Sequence, residues 1–304
     1  MKHPFLSLKA DIPQFKERKR ILVSFSGGET SGFMAAWIIE NYSKTHEIRC
    51  VFANTGEENE ETLVFADKCD KEFGLNLKWV EYKHRKFVLK NFNNASRNGE
   101  PFERLIQDFG IPTFGSPSCS RVLKANTIAN YTNFTGWKRN TYFTAIGIRV
   151  DEIDRMSSIA KGKGLVYPLV KLEVTKPMVN TFWRDMPFRL NLKSYQGNCK
   201  TCWKKSFRTL AWIMKENPQH FNNFERWENE YYDKAPLVSK REFLKRNIHM
   251  KFFNKGIGVE GVREIAKSKE LGEPINNAIE YVGTQINGLD IDEGFGCNES
   301  CEIY

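Results

Sequence analysis

The segment Ser24-Phe25-Ser26-Gly27-Gly28-Glu29-Thr30-Ser31 constrains this chain more than any other. An apolar run, Ile21 to Phe25, leads into it, and Ser31 to Tyr42, rich in Ala, Ile, Met, Phe and Trp, follows as a predicted helix. A strand, a tight turn and a helix in that order bring exposed backbone N–H groups to the positive end of a helix dipole, where an anion is stabilised. Gly27 and Gly28 let the backbone approach a phosphate closely, and Ser26, Thr30 and Ser31 add hydroxyl donors. The turn follows neither the Gly-x-x-x-x-Gly-Lys-Ser/Thr of a P-loop nor the Gly-x-Gly-x-x-Gly of a dinucleotide fold.

Ile48 to Phe52 predicts a second strand running into Asn54-Thr55-Gly56-Glu57. Glu60 to Phe73 then predicts a helix with Leu63, Ala66, Cys69 and Phe73 on its apolar stripe and Gly74 as its stop. Leu77 to Tyr82 and Tyr142 to Ile148 predict further strands. Strands separated by helices describe βαβ units, so the expected class is α/β, a Rossmann-like parallel sheet flanked by helices. Ligands of such sheets sit at the carboxyl ends of the strands, where the turns after Phe25, Phe52 and Ile148 would converge. From about Thr175 the pattern becomes helical, over Thr175–Arg184, Trp203–Glu216 and Ser239–Phe253, the last opening on a capping-box spacing, Ser239 to Glu242. The expected division is a nucleotide-binding part, 1–174, and a mainly helical, cysteine-containing part, 175–304, ending in an irregular tail, Gly283 to Tyr304.

Forty per cent of the 304 residues are hydrophobic, which excludes a disordered chain. No charge-free apolar run approaches the roughly 18–20 residues of a membrane span, and Met1 to Arg20 is polar and basic rather than a secretory signal. The expectation is a soluble, cytoplasmic protein without a membrane partner. The net charge of +9 suits an anionic partner, nucleotide or nucleic acid, and Trp203 to Lys255 holds 12 Lys or Arg against 6 Asp or Glu, which makes it the expected place for a polyanion. Solubilising surface helices explain the same charges. Seven cysteines, two of them as Cys199-Lys200-Thr201-Cys202, read as metal or redox chemistry rather than a secreted disulfide framework. The Cys-x-x-Cys spacing lets two thiolates bind one metal or cluster.

Ser26-Gly27-Gly28-x-Thr30-Ser31 resembles the pyrophosphate-binding motif of the adenine nucleotide α-hydrolase-like superfamily, which includes N-type ATP pyrophosphatases and the phosphoadenosine phosphosulfate (PAPS) reductase family. Phe52-Ala53-Asn54-Thr55-Gly56-x-Glu58, Cys119-Ser120-Arg121-x-x-Lys124 and Gly147-Ile148-Arg149-x-Asp151-Glu152-x-x-Arg155 are similar to further elements of PAPS-reductase-like proteins. So are Tyr167-Pro168-Leu169 and Gly197-Asn198-Cys199-x-x-Cys202, and the matches span roughly residues 20 to 205. The resemblance implies a HUP-type fold and an adenine nucleotide such as ATP, held by Ser24, Ser26, Gly27, Gly28, Thr30, Ser31, Asn54, Thr55, Gly56, Arg121, Lys124 and Gly147.

It also implies a [4Fe–4S] cluster on Cys119, Cys199 and Cys202, with zinc as the alternative. Where adenosine phosphosulfate reductases have paired cysteines this chain has only Ser118-Cys119, so the fourth ligand is open. Cys297 or Cys301 would complete the set, or an open iron would hold exogenous sulfur. Alternatively Cys301 is a mobile nucleophile, although the Glu-Cys-Gly-x-His tail of PAPS reductases is absent. Cys50 and Cys69 fall on apolar positions and read as small core residues.

Arg149, Asp151, Glu152 and Arg155 follow a predicted strand and would stand beside the phosphate site, Arg149 neutralising a leaving pyrophosphate or a sulfate. Asp151 or Glu58 would hold Mg2+. An ordinary charged loop is the plain alternative. His84, in Lys83-His84-Arg85-Lys86, reads as a solvated or phosphate-facing residue, and Trp203, Phe207 and Trp212 as helix core. Three functions follow from the resemblance. The first is an ATP-using sulfur transferase, with tRNA or DNA as a thinkable substrate; the second is a PAPS reductase regenerated by a thioredoxin-like thiol donor; the third is a nucleotide-binding regulator of a nucleic-acid complex.

Overall fold

The structure is a computed structural model that describes residues 3–113, 117–234, 249–253 and 256–274. Six strands form one sheet: β1 (Arg20–Phe25), β2 (Glu47–Asn54), β3 (Lys78–Lys83), β4 (Lys86–Lys90), β5 (Phe143–Ala145) and β6 (Leu165–Val166), in the order β4-β3-β2-β1-β5-β6. All neighbours pair in parallel except β3 with β4. The sheet is the Rossmann-like α/β architecture that the sequence pattern describes. Its longer helices are α1 (Glu29–Tyr42), α2 (Glu60–Phe73), α3 (Glu100–Phe109), α4 (Thr127–Phe134), α5 (Lys176–Asp185), α6 (Phe207–Glu216), α7 (Asn222–Glu230) and α8 (Val259–Ala266).

The sequence explains the central elements directly. Ile21 to Phe25 are all buried, so an unbroken apolar run becomes an inner strand covered on both faces. Every residue of α1 from Glu29 to Ile38 is buried as well, which is why this helix is apolar around its whole circumference. In α2 the burial falls on a stripe that includes Leu63, Ala66 and Cys69, and Gly74 ends the helix in the left-handed region at φ 62°. The register Ile21↔Ile48 through Phe25↔Phe52 sets the carboxyl ends of β1 and β2 level, so the turns that follow them lie side by side. From β1 the chain works outward to β4 and returns to β5 on the other side, which puts the switch of direction between β1 and β5.

Several boundaries differ from the sequence reading. The first helix begins at Glu29 rather than Ser31, because Gly28 takes the extended backbone of an N-cap. The strand expected over Tyr142–Ile148 pairs only over Phe143–Ala145, with Ile21–Val23 of β1 on one side and the two-residue β6 on the other. Lys83 and Lys86 close a hairpin whose two turn residues, His84 and Arg85, both have positive φ, and this adds an antiparallel edge strand that the reading lacked. The His84 ring packs at this tip, 3.2 Å from Asp108. The helix expected from Trp203 starts at Phe207, capped by the Ser206 hydroxyl on Thr209 N–H. The stretches Ser239–Glu242 and Gly283–Tyr304 lie outside the described residues.

Two main cores result. The first lies under α1, α2 and α5 and contains Phe33, Trp37, Phe65, Phe182 and Trp183. The second joins α3 to α6, α7 and α8 around Phe102, Leu210, Phe224 and Trp227, with the Phe102 and Trp227 rings stacked at 5.3 Å. Helix α5 therefore packs against α1 in the first core, and α3, which also lies against β3, joins the second. Among the described residues no helix is long and apolar enough to cross a membrane.

Gly32 fixes the approach of α5 to α1, because a Cβ there would stand 2.7 Å from the Trp183 indole. That indole is fully buried and donates to Glu29 O at 2.8 Å, so it has no room to yield. Gly32→Ala should destabilise the protein by about 1–3 kcal/mol, the overpacking outweighing the better helix propensity of alanine, and a lower urea midpoint would register it.

Candidate active site

The turn after β1 is built around one hydroxyl. Ser31 Oγ accepts from Ser26 N at 3.1 Å and from Ser26 Oγ at 2.9 Å and donates to Gly28 O at 2.9 Å. The turn is thus closed on itself while no side chain caps the start of α1, so the first N–H groups of the helix face outward. Gly27 has φ 86°, and a Cβ on it would meet Thr62 Cγ2 at 2.6 Å. Gly147, just beyond β5, passes so close that a Cβ would lie 3.2 Å from Ser31 Cα. Only glycines admit this three-way approach of the β1 turn, α2 and the β5 end.

Arg149 reaches into this junction. Its Nη1 donates to Thr30 Oγ1 at 2.9 Å and its Nε to Asp151 Oδ1 at 3.0 Å, and Glu152 lies 3.3 Å from Nη1. The side chain is only 6% exposed. Asp151 also accepts from Lys176 N at 3.3 Å, so it ties Arg149 to the start of α5. The structure therefore brings Ser24, Ser26, Gly27, Gly28, Thr30, Ser31, Gly147, Arg149 and Asp151 to one end of the sheet. Glu29, which the sequence reading passed over, is buried beside them and takes a two-pronged contact from Arg189, at 3.1 Å on each oxygen. Burial raises its pKa, and Arg189 and Lys176 oppose that shift.

The turn after β2 links this junction to the cysteines. Glu58 accepts from Thr55 N at 2.9 Å and from Thr55 Oγ1 at 2.8 Å, and Asn54 Oδ1 accepts from Gly56 N at 3.1 Å, which locks the Asn54-Thr55-Gly56 bend. Glu58 pairs with Cys199 as an isolated β-bridge, and Thr55 Oγ1 lies 3.5 Å from Cys199 Sγ. Cys119, Cys199 and Cys202 line one small cavity together with Thr55, Lys124 and Trp203. Trp203 Nε1 donates to Cys119 Sγ at 3.4 Å, so this indole, read from sequence as helix core, belongs to the cysteine cavity. Lys205 Nζ holds the preceding segment through Tyr195 O and Gly197 O, both at 2.6 Å.

Burial pushes the Cys199 thiol well above its ordinary pKa, with the Glu58 charge adding to the shift and Lys124 opposing it. Ser118 Oγ and Thr201 Oγ1, flanking the cysteines in sequence, are buried without a hydrogen-bond partner. Three thiols lining one cavity are a donor set of the kind that suits a soft metal centre. Among the described residues, however, no three His, Cys, Asp or Glu side chains stand close enough to hold a single metal ion. Cys297 and Cys301 lie outside the described residues. Cys50 and Cys69 are buried in the first core, and burial pushes the Cys50 thiol up to about 12.

Not every proposed nucleotide ligand joins the crevice. Arg121 and Lys124 share a helical segment, Ser120–Asn126, but Lys124 lines the cysteine cavity whereas Arg121 is exposed and lines a separate groove. A spacing of three residues in this π-type segment turns the two cations to different surroundings. Both carboxylates have their two oxygens hydrogen-bonded, but Glu58 is buried on the Thr55 turn whereas the Asp151 side chain is 39% exposed, which makes Asp151 the more open of the two candidate magnesium carboxylates.

Residues 20–158 match the family model of the phosphoadenosine phosphosulfate reductase domain, so that part of the chain is similar to a domain found in nucleotide-related enzymes. Over 294 residues it is 23% identical to a protein of Escherichia phage lambda described as an uncharacterized nin region protein, ORF290, covering 93% of this chain and 94% of that one.

Glu57, next to the locked bend, is 1% exposed and accepts from Asn223 Nδ2 at 2.7 Å. Burial raises its pKa from 4.5 to about 7, against the pull of Asn223 and Lys200. The folded state then binds an extra proton between pH 4.5 and about 7, so this group's stabilising contribution is full below pH 4.5 and is lost as pH rises through 7. Glu57→Gln should raise stability at pH 8 by on the order of 2–3 kcal/mol and change it little at pH 4.5. Thermal melts at the two pH values would read this directly; equal shifts at both would show that the carboxyl does not titrate in this window.

Proposed function

We propose that the chain is an ATP-using enzyme of sulfur transfer, in which the β1 turn holds the departing pyrophosphate and the cysteine cavity holds the sulfur chemistry. The observation that carries the reading is the meeting of an open helix start, two close-approach glycines and the buried Arg149 at the switch point of the sheet. A bound pyrophosphate would accept from the first N–H groups of α1 and from Thr30 Oγ1, and Arg149 would offset the charge that develops as the α-phosphate is attacked. Asp151 holds the guanidinium in place and would share Mg2+ with phosphate oxygens. Glu29, tied to Arg189, keeps its charge balanced and does not repel the anion.

The Thr55 turn is the physical connection to the second half of the site, because it runs from the end of β2 to Cys199. Cys119, Cys199 and Cys202 are the residues that would hold a [4Fe–4S] cluster, each on a separate iron, whereas zinc, a single ion, would need them closer together than they stand; a fourth position falls to Cys297, Cys301 or exogenous sulfur. When bound, the cluster would supply sulfur or electrons to the adenylated substrate. Trp203 N–H directed at Cys119 Sγ is the kind of outer contact that tunes such thiolates, and the raised Cys199 pKa means that metal binding would release a proton there. The match to the PAPS reductase domain favours a second reading, reduction of a sulfonucleotide with a thioredoxin-like donor, in which Cys301 is the attacking thiolate.

Protein purified without oxygen and given ATP, Mg2+ and candidate acceptors should release pyrophosphate; sulfite from PAPS and thioredoxin, with no pyrophosphate from ATP, would favour the second reading instead. Gly27→Ala should abolish nucleotide binding, measured by calorimetry, because the new methyl both strains the backbone and strikes Thr62. Arg149→Ala should cut turnover by roughly 100-fold or more, a loss of about 3 kcal/mol of transition-state stabilisation. Cys199→Ser with Cys202→Ser should lower bound iron or zinc, assayed by elemental analysis, while leaving ATP binding within a few-fold of the parent chain.

A further inference from the structure

A second concavity lies on the sheet face that α4 leaves partly open. Its floor is Leu22 of β1, Thr144 of β5 and Leu165 of β6, and Arg121, Arg139 and Lys163 line it from three different segments. Asn126 and Asn133 add amide groups along the helical side, and no acidic residue lines it. The groove measures about 390 Å³, more than a single phosphate ion needs.

The charges in this groove differ from those in the helical region. There Arg226 grips Glu103 with two hydrogen bonds of 2.8 Å, Lys251 pairs with Glu228, Arg208 bonds the carbonyls of Gly272 and Glu273, and Lys215 bonds Ser268 O. Those cations are committed within the chain. By contrast, none of Arg121, Arg139 and Lys163 has a carboxylate partner among the described residues. Three unpaired cations around one groove, in a chain of net charge +9, repel one another until an anion enters.

We propose that this groove binds the phosphodiester backbone of a nucleic-acid strand. A single phosphate is held by converging main-chain amides, as at the β1 turn, whereas cations mounted separately along an open, partly apolar trough suit a repeating anion. The groove also borders the site already described. Arg121 is three residues from Lys124, which lines the cysteine cavity, so one short helical segment contacts both. Nucleic-acid binding there needs no nucleotide cofactor and no sulfur chemistry, so the proposal stands apart from the reaction assigned above.

The test uses the full chain, without ATP, and fluorescence anisotropy of labelled DNA and RNA single strands of roughly 20 nucleotides and the matching duplexes. At least one probe should bind at low salt. Replacing Arg121, Arg139 and Lys163 together by alanine should weaken that binding tenfold or more and, for a single strand, flatten the slope of log K against log salt by about 2, the share expected of three phosphate contacts. Lys163→Glu alone, a change at an exposed position, should weaken it as well, and Lys204→Ala with Lys234→Ala should not. Absence of binding by every probe would overturn the proposal, as would an unchanged slope in a triple variant with a parental melting profile. Displacement by inorganic phosphate at the phosphate concentration of the probe would assign the groove to small anions and overturn it equally.

Discussion

Ser31 Oγ is the contact on which the rest of the crevice depends. By accepting from both the N–H and the hydroxyl of Ser26 and donating to Gly28 O, it satisfies the turn internally and leaves the start of α1 uncapped. Each polar group of the turn would otherwise look for a partner in the space in front of the helix start. The arrangement works only because the neighbouring backbones come very near, and Gly27 and Gly147 are the positions where a Cβ would push them apart. The site is thus a property of main-chain geometry first and of side chains second.

Electrostatics follow from that geometry. A helix start that attracts anions has two buried charged residues beside it, Arg149 and Glu29, and each is balanced. Arg149 is shared between Thr30, Asp151 and Glu152, and Glu29 is answered by Arg189. Breaking either set would leave a charge buried without a partner, which costs several kcal/mol. The same logic reaches the cysteines through Glu58, which spends both oxygens on the Thr55 turn and lies against Cys199. The β2 turn is the mechanical link between the β1 turn and the thiol cavity.

The packing explains why these two halves hold a fixed relation. Helix α5 carries Phe182 and Trp183 into the first core, and α3 carries Phe102 into the second, so each core includes segments from both halves of the chain. Trp183 does this twice over, packing against Gly32 and donating to Glu29 O. The cysteine-bearing segment sits between the cores, pinned by Lys205 through Tyr195 and Gly197.

The sequence by itself determined the opening strand, the tight glycine turn after it and the helix over Glu60–Phe73, because these follow from local runs: a largely apolar strand, paired glycines, a stripe at helical period. It also named the three cysteines that come to share a cavity, Cys199 and Cys202 by their spacing and Cys119 through resemblance. Tertiary structure alone decided that Trp203 turns its indole to Cys119, that Glu29 meets Arg189 across 160 residues, and that Arg121 and Lys124 part company within one helical segment. It also decided that the hairpin at His84-Arg85 adds an antiparallel edge. The reason is physical: local pattern fixes backbone conformation, whereas which charge is buried, which is paired and which is left over depends on groups far apart in the chain that only packing brings together.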